Sequence, residues 1–102
     1  MSIIQGSVLE QKKALDEGDL CSVDLVELHI KHIEAVNPQL NAMVAFRFEE
    51  ALKEAKDADM RRGSGALELL LGVPCSIKEC FALEGMPQSS GLVSRKLSLI
   101  HI

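Results

Sequence analysis

Gly72-Val73-Pro74-Cys75-Ser76-Ile77-Lys78-Glu79-Cys80-Phe81 decides how this chain reads, together with Glu84-Gly85-Met86-Pro87-Gln88-Ser89-Ser90-Gly91-Leu92 behind it. A lysine closes an alternating apolar run between two turns that carry glycine and proline. Strand side chains alternate with period two, so Val73, Cys75 and Ile77 share one face and Pro74, Ser76 and Lys78 the other. Cys75, on the apolar face, is expected to pack as core rather than to act as a nucleophile, and Cys80 has no histidine placed to activate it. A lysine inside a sheet needs a task or a partner. Burial disfavours the ammonium form, lowers its pKa and leaves an amine able to accept a proton. Read from spacing alone, a strand lysine is also a common way to blunt a sheet edge. Glu79 is adjacent to it, and adjacent strand residues point to opposite faces, so a direct pair is disfavoured.

Working upstream, Phe48, Ala51, Leu52, Ala55 and Ala58 recur at helical spacing and predict a helix over 47–62. Glu49, Glu50, Lys53, Glu54, Lys56 and Asp57 make its wet side, with Glu49 and Lys53 spaced as an i,i+4 ion pair. The alanines allow close approach to a neighbour. Arg61 and Arg62 suit the negative end of the helix dipole, and Gly63-Ser64-Gly65 stops the helix. Leu40-Asn41-Ala42-Met43-Val44-Ala45 is a short apolar run read as a strand. A strand–helix–strand unit over 40–78 is the building block of a parallel sheet.

Two more helices precede it. The first is predicted over 8–17, with Ser7 as its cap, Gly18 as its stop and Val8, Ala14 and Leu15 as an apolar stripe. The second is predicted over 23–36, capped by Ser22, with Asp24 in the first turn and Leu25, Val26, Ile30, Ile33 and Val36 facing the core. Asn37-Pro38 is expected to end it, because the residue before proline is pushed out of helical dihedrals. The resulting class is α/β: N-terminal helices plus the first strands of a parallel sheet. Two strands with open edges do not complete a sheet, so it is incomplete in this chain.

Composition narrows the function. A 102-residue chain with 47% hydrophobic and 25% charged residues has the makeup of one small globular unit, not of a disordered tract. A net charge of −4 without a basic stripe, and only three aromatic residues, give no footprint for nucleic acid. Cys21, Cys75 and Cys80 are odd in number and lack C-x-x-C spacing, so reduced thiols in a cytoplasmic setting are expected. The first residues show no basic, apolar leader pattern, and no 18-residue apolar run predicts a membrane span. His29 and His32 stand three apart on the second helix with Glu34 near them. Zinc needs further ligands, usually from another segment, so a solvated helix face is the simpler reading and no metal is expected.

Four stretches in order resemble the N-terminal part of an amidase signature family enzyme. Ser22-Val23-Asp24-Leu25-Val26 opens the second helix. Val36-Asn37-Pro38-Gln39-Leu40-Asn41-Ala42-Met43-Val44 is similar to the family's N-P-x-L-N-A connection. Ala51, Ala55 and Asp59 match its spaced Ala-Ala-Asp helix, and Leu71 to Glu79 matches its G-V-P-x-x-x-K-[DE] segment. Each alone is a weak signal. Their order and spacing across residues 7 to 96 make them specific. The continuation through Leu92 is similar to the fatty acid amide hydrolase branch. Leu69 departs from relatives that often carry proline at that place, just before the strand.

The resemblance implies the amidase signature fold, with N-terminal helices plus the first strands of a mixed, largely parallel sheet that is incomplete in this chain, 1–96 as the N-terminal part of an amidase domain and 97–102 as a tail foreign to the family. It implies a Ser–cis-Ser–Lys mechanism in which Lys78 is the catalytic base for a small-molecule amide substrate, with no metal or organic cofactor. The bridging and nucleophilic serines of the family lie downstream in a Gly-Gly-Ser-Ser-Gly type loop, which this sequence does not contain. Ser89-Ser90-Gly91 falls outside that position and reads as a polar turn. Members of such a triad act as a unit, so the chain alone is expected to be inactive. The alternative from another class is a non-catalytic helical interaction module built on the amphipathic helices 8–17, 23–36 and 47–62.

Overall fold

The computed structural model describes residues 3–78. A 3-10 turn, Ile3–Gln5, leads into three helices: α1, Val8–Asp16; α2, Ser22–Leu40; and α3, Phe48–Gly63. Ser7 caps α1 as expected, its hydroxyl accepting from the Glu10 N–H at 3.1 Å. Ala14 and Leu15 are buried, but Val8 is half exposed, so the α1 stripe is narrower than its spacing suggested.

α2 and α3 make the main helical contact. Leu25 is fully buried and Val26 nearly so, and they meet the α3 face that carries buried Ala55 and Ala58. Small side chains on that face place no long group between the two helices. Full burial of one leucine stabilises by roughly 1.5–3 kcal/mol, so Leu25 is a large part of a core this small. The farther α2 positions Ile30, Ile33 and Val36 are only partly covered. On α3 the Glu49–Lys53 pair does not form, and Arg47 instead reaches Glu54 at 3.0 Å.

The end of α2 differs from the sequence reading. The helix continues through Pro38 to Leu40, and Asn41 closes it in the left-handed region at φ 51°. Proline removes one N–H, but at this exposed last turn the freed carbonyl faces water, so the loss is tolerated. Asn37 then pins the exit: its amide donates to the Met43 carbonyl at 2.9 Å, and its oxygen accepts from the Met43 N–H at 2.8 Å.

The predicted strands need correction. Residues 40–45 form a helix end and an irregular connection, not a strand. Asn37 satisfies Met43 locally, which removes the backbone groups a ladder would use. Residues 73–78 form no ladder either, and among the described residues there is no strand. A strand is defined by its partner, and helices 3–63 offer no edge to pair with. The described part is therefore helical, and the sheet of the α/β expectation is not present in it. Cys75 is exposed, not core, because no second layer covers its face. Cys80, Glu79 and the Ser89–Gly91 turn lie outside the described residues, as does 97–102.

Candidate functional site

Lys78 stands at the end of the irregular segment 73–78 and is exposed. No hydrogen bond or ion pair among the described residues reaches it. Residues 3–78 therefore build no enclosed pocket around the Lys78 ammonium.

The segment that carries Lys78 is nevertheless anchored. The Leu71 N–H donates to Glu68 and the Val73 N–H to Leu70, so the chain makes two successive turns over 68–73. Gly72 sits third in the second turn at φ +86°, a dihedral that side chains beyond glycine adopt at a cost. Its surroundings are also tight: a Cβ there would lie 3.1 Å from Ser22 Oγ and 3.3 Å from Arg62 Nη2.

Three side chains hold this turn and its supports. Ser22, nearly fully buried, donates its hydroxyl to the Gly72 carbonyl at 2.7 Å. The Arg62 guanidinium donates through Nη2 to the Leu71 carbonyl and through Nη1 to Asp16 of α1. Asp59 accepts from the Ser22 N–H at 2.6 Å and the Val23 N–H at 3.1 Å. A carboxylate there satisfies two of the unpaired donors at the start of α2 and complements the positive end of its dipole. Ser22 is therefore not the cap of α2, as its residue type suggested. Cys21 occupies that place, and Asp24 reaches back to the Cys21 N–H at 3.5 Å in a capping box. The Asp24 N–H on the Cys21 sulphur lowers that thiol's pKa, but burial and the Asp24 and Asp59 carboxylates outweigh it and hold the thiol above its ordinary value.

Sequence reasoning found Asp59 and Ser22 as parts of motifs without finding what they do. Arg62 was read as a dipole complement, and its hold on Leu71 was missed. No local spacing signals these contacts, because their partners lie in other segments.

His29 and His32 gather no third metal-ligating side chain among the described residues. His29 is half buried with Nε2 3.4 Å from Gln11 Oε1, and His32 is exposed. Burial, with a smaller push from His32, holds the His29 pKa below its ordinary value. No helix among the described residues is long and apolar enough to cross a membrane.

Residues 24–98 match the sequence profile of the Amidase family. The chain belongs to the amidase family. It is 42% identical over 97 residues to fatty-acid amide hydrolase 2-B of Danio rerio, covering 87% of this chain and 18% of that protein. It is 40% identical over 98 residues to fatty-acid amide hydrolase 2 of Homo sapiens, covering 88% and 18%. It is 42% identical over 93 residues to indoleacetamide hydrolase of Bradyrhizobium diazoefficiens, covering 90% and 18%. The chain thus spans less than a fifth of the length of the curated relatives it matches. Within the family match fall the turn at Gly72, Asp59, Arg62 and Lys78. Ser22 lies two residues before it.

Proposed function

We propose that this chain is the lysine-bearing N-terminal part of a hydrolase of carboxylic amides, with fatty acid amides as the substrate class. The observation that carries the reading is the intact Gly72-Val73-Pro74 to Lys78 segment inside a family match whose relatives are named as amide hydrolases. In the whole domain, 73–78 is a strand of a mixed sheet, and residues 1–96 are the family part. Neutral Lys78 takes a proton from a bridging serine, which takes the proton of a nucleophilic serine. The nucleophile attacks the amide carbonyl and displaces the amine, which leaves with the returned proton. Water then releases the carboxylic acid from the acyl-enzyme. Backbone amides of the serine loop hold the oxyanion. No metal enters these steps. The exposed, unpaired thiols of Cys21 and Cys75 suit a reducing, cytoplasmic compartment.

Both serines are outside the 102 residues, so the chain by itself carries one group of three and does not hydrolyse amides. Two assays test the reading. Purified chain is incubated with a fatty acid amide, and no product is expected. Residues 1–96 are also grafted in place of the matching part of human fatty-acid amide hydrolase 2. The graft is expected to hydrolyse the amide, and Lys78→Ala is expected to abolish that. Full activity of the Lys78→Ala graft would sink the assignment of the base. A graft without activity, alongside a cooperative, monomeric melt of the chain alone, would favour the helical interaction module.

A further inference from the structure

We propose that Ser22 and Arg62 are positioning residues for Lys78, with Asp59 fixing the helix start from which Ser22 works. The proposal rests on the reading of Lys78 as the base. Beyond Val73, no hydrogen bond among the described residues secures the chain to Lys78. The turn at Leu71 and Gly72 is therefore the last anchored point before Lys78 among the described residues, and it sets where the strand proposed for 73–78 begins. Consecutive carbonyls of that turn are gripped from two helices: Leu71 by Arg62 of α3, Gly72 by Ser22 of α2.

The grip is specific. Arg62 Nε is buried and has no hydrogen-bond partner, a costly arrangement for a guanidinium. Its two Nη groups are committed to Asp16 and Leu71, so the side chain is placed for those contacts and not for its own solvation. Ser22 can reach Gly72 only because its own N–H is fixed by Asp59 at 2.6 Å. Glycine at 72 leaves space for both grips, since a Cβ would press on Ser22 and Arg62 together.

The leverage is large. Six residues fully extended span at most about 20 Å, so a swing of about 10° at Gly72 displaces the far end by up to about 3.5 Å. Misplacement of a reacting group by about 1 Å costs on the order of 100-fold in rate. Loosening the turn therefore reaches Lys78 even though none of the three side chains touches it.

Two measurements decide it. In the 102-residue chain, 15N relaxation gives backbone order parameters for Leu71 to Val73, the gripped turn. These are expected to be near those of α2 in the unaltered chain and to fall below about 0.6 in Ser22→Ala and Arg62→Met, with α1 and α2 unchanged and Arg62→Lys regaining part. In the grafted hydrolase, Ser22→Ala and Arg62→Met are expected to lower kcat per titrated active site at least about 10-fold with KM nearly constant. Ser22→Ala removes one hydroxyl and carries the comparison where Arg62→Met does not fold. Order parameters of Leu71 to Val73 already low in the unaltered chain, or unmoved by both variants, overturn the proposal. Unchanged kcat in both variants, where Lys78→Ala is inactive, overturns the positioning role alone. An active Lys78→Ala graft overturns the base assignment and the positioning role with it.

Discussion

The Ser22 hydroxyl donates to the Gly72 carbonyl at 2.7 Å across fifty positions of sequence. It ties the first turn of α2 to the glycine that opens the lysine-bearing segment. This one bond joins the start of α2 to the segment that leads to Lys78, and it sets the first prediction. Ser22→Ala leaves the part-buried Gly72 carbonyl without its donor and costs about 1–2 kcal/mol. Urea denaturation followed by the helical circular dichroism signal reads this as a lower midpoint at constant slope.

Asp59 serves two amides at once. Asp59→Ala strips the acceptors from the Ser22 and Val23 N–H groups and removes the negative charge at the positive end of α2. The expected loss is about 2–3 kcal/mol, with Asp59→Asn losing less because an amide oxygen still accepts one bond. Equal losses in the two variants would show that the carboxylate's charge and second oxygen contribute nothing.

Gly72→Ala and Gly18→Ala separate strain from crowding. Both glycines have positive φ, +86° and +78°. Gly18 has open space around a Cβ, whereas Gly72 has Ser22 and Arg62 within 3.3 Å. Gly18→Ala is expected to cost about 1 kcal/mol from the left-handed dihedral alone. Gly72→Ala is expected to cost more, with the excess measured by the difference between the two midpoints. That excess should shrink in a Ser22→Gly background, where part of the obstruction is gone.

His29 makes stability depend on pH near neutrality. Burial, and then the neighbouring His32, depress its pKa below the ordinary value of 6.5. The unfolded chain therefore binds a proton at a pH where the folded chain does not. Stability from this group is full above the unfolded value and declines as pH falls through 6.5 toward the folded value. The groups facing it are Gln11 of α1 and His32 of α2. Midpoints measured at pH 7.5 and 5.5 are expected to differ less in His29→Gln than in the unaltered chain. Asp16 works in a lower range: its hydrogen bond from Lys12, aided by Arg62, holds its pKa below 3.8, so its share is lost only as pH falls beneath that value.

Much of this was legible in the residues. The periodic apolar stripes marked three helices, the alanine spacing of Ala55 and Ala58 marked the close contact, and the ordered motifs ending at Lys78 marked the family. The errors share a cause. Ser22 has the residue type of a cap, but Cys21 takes that place because Asp59, far along the chain, supplies the acceptors that Ser22's own N–H needs. Pro38 signals a helix end, but at a solvent-facing last turn its missing N–H costs little. Residues 40–45 and 73–78 have strand-like composition, yet pairing is a property of two segments and no described segment offers an edge.

By itself, then, the sequence determined where the helices lie, which faces of them are apolar and which family the chain belongs to, because those depend on period and on local residue order. Only the tertiary structure decided how the Lys78 segment is held. Hydrogen bonds from Ser22 to Gly72 and from Arg62 to Leu71 join groups that no local pattern relates, and the first of them forms only where the chain after α3 returns to the start of α2.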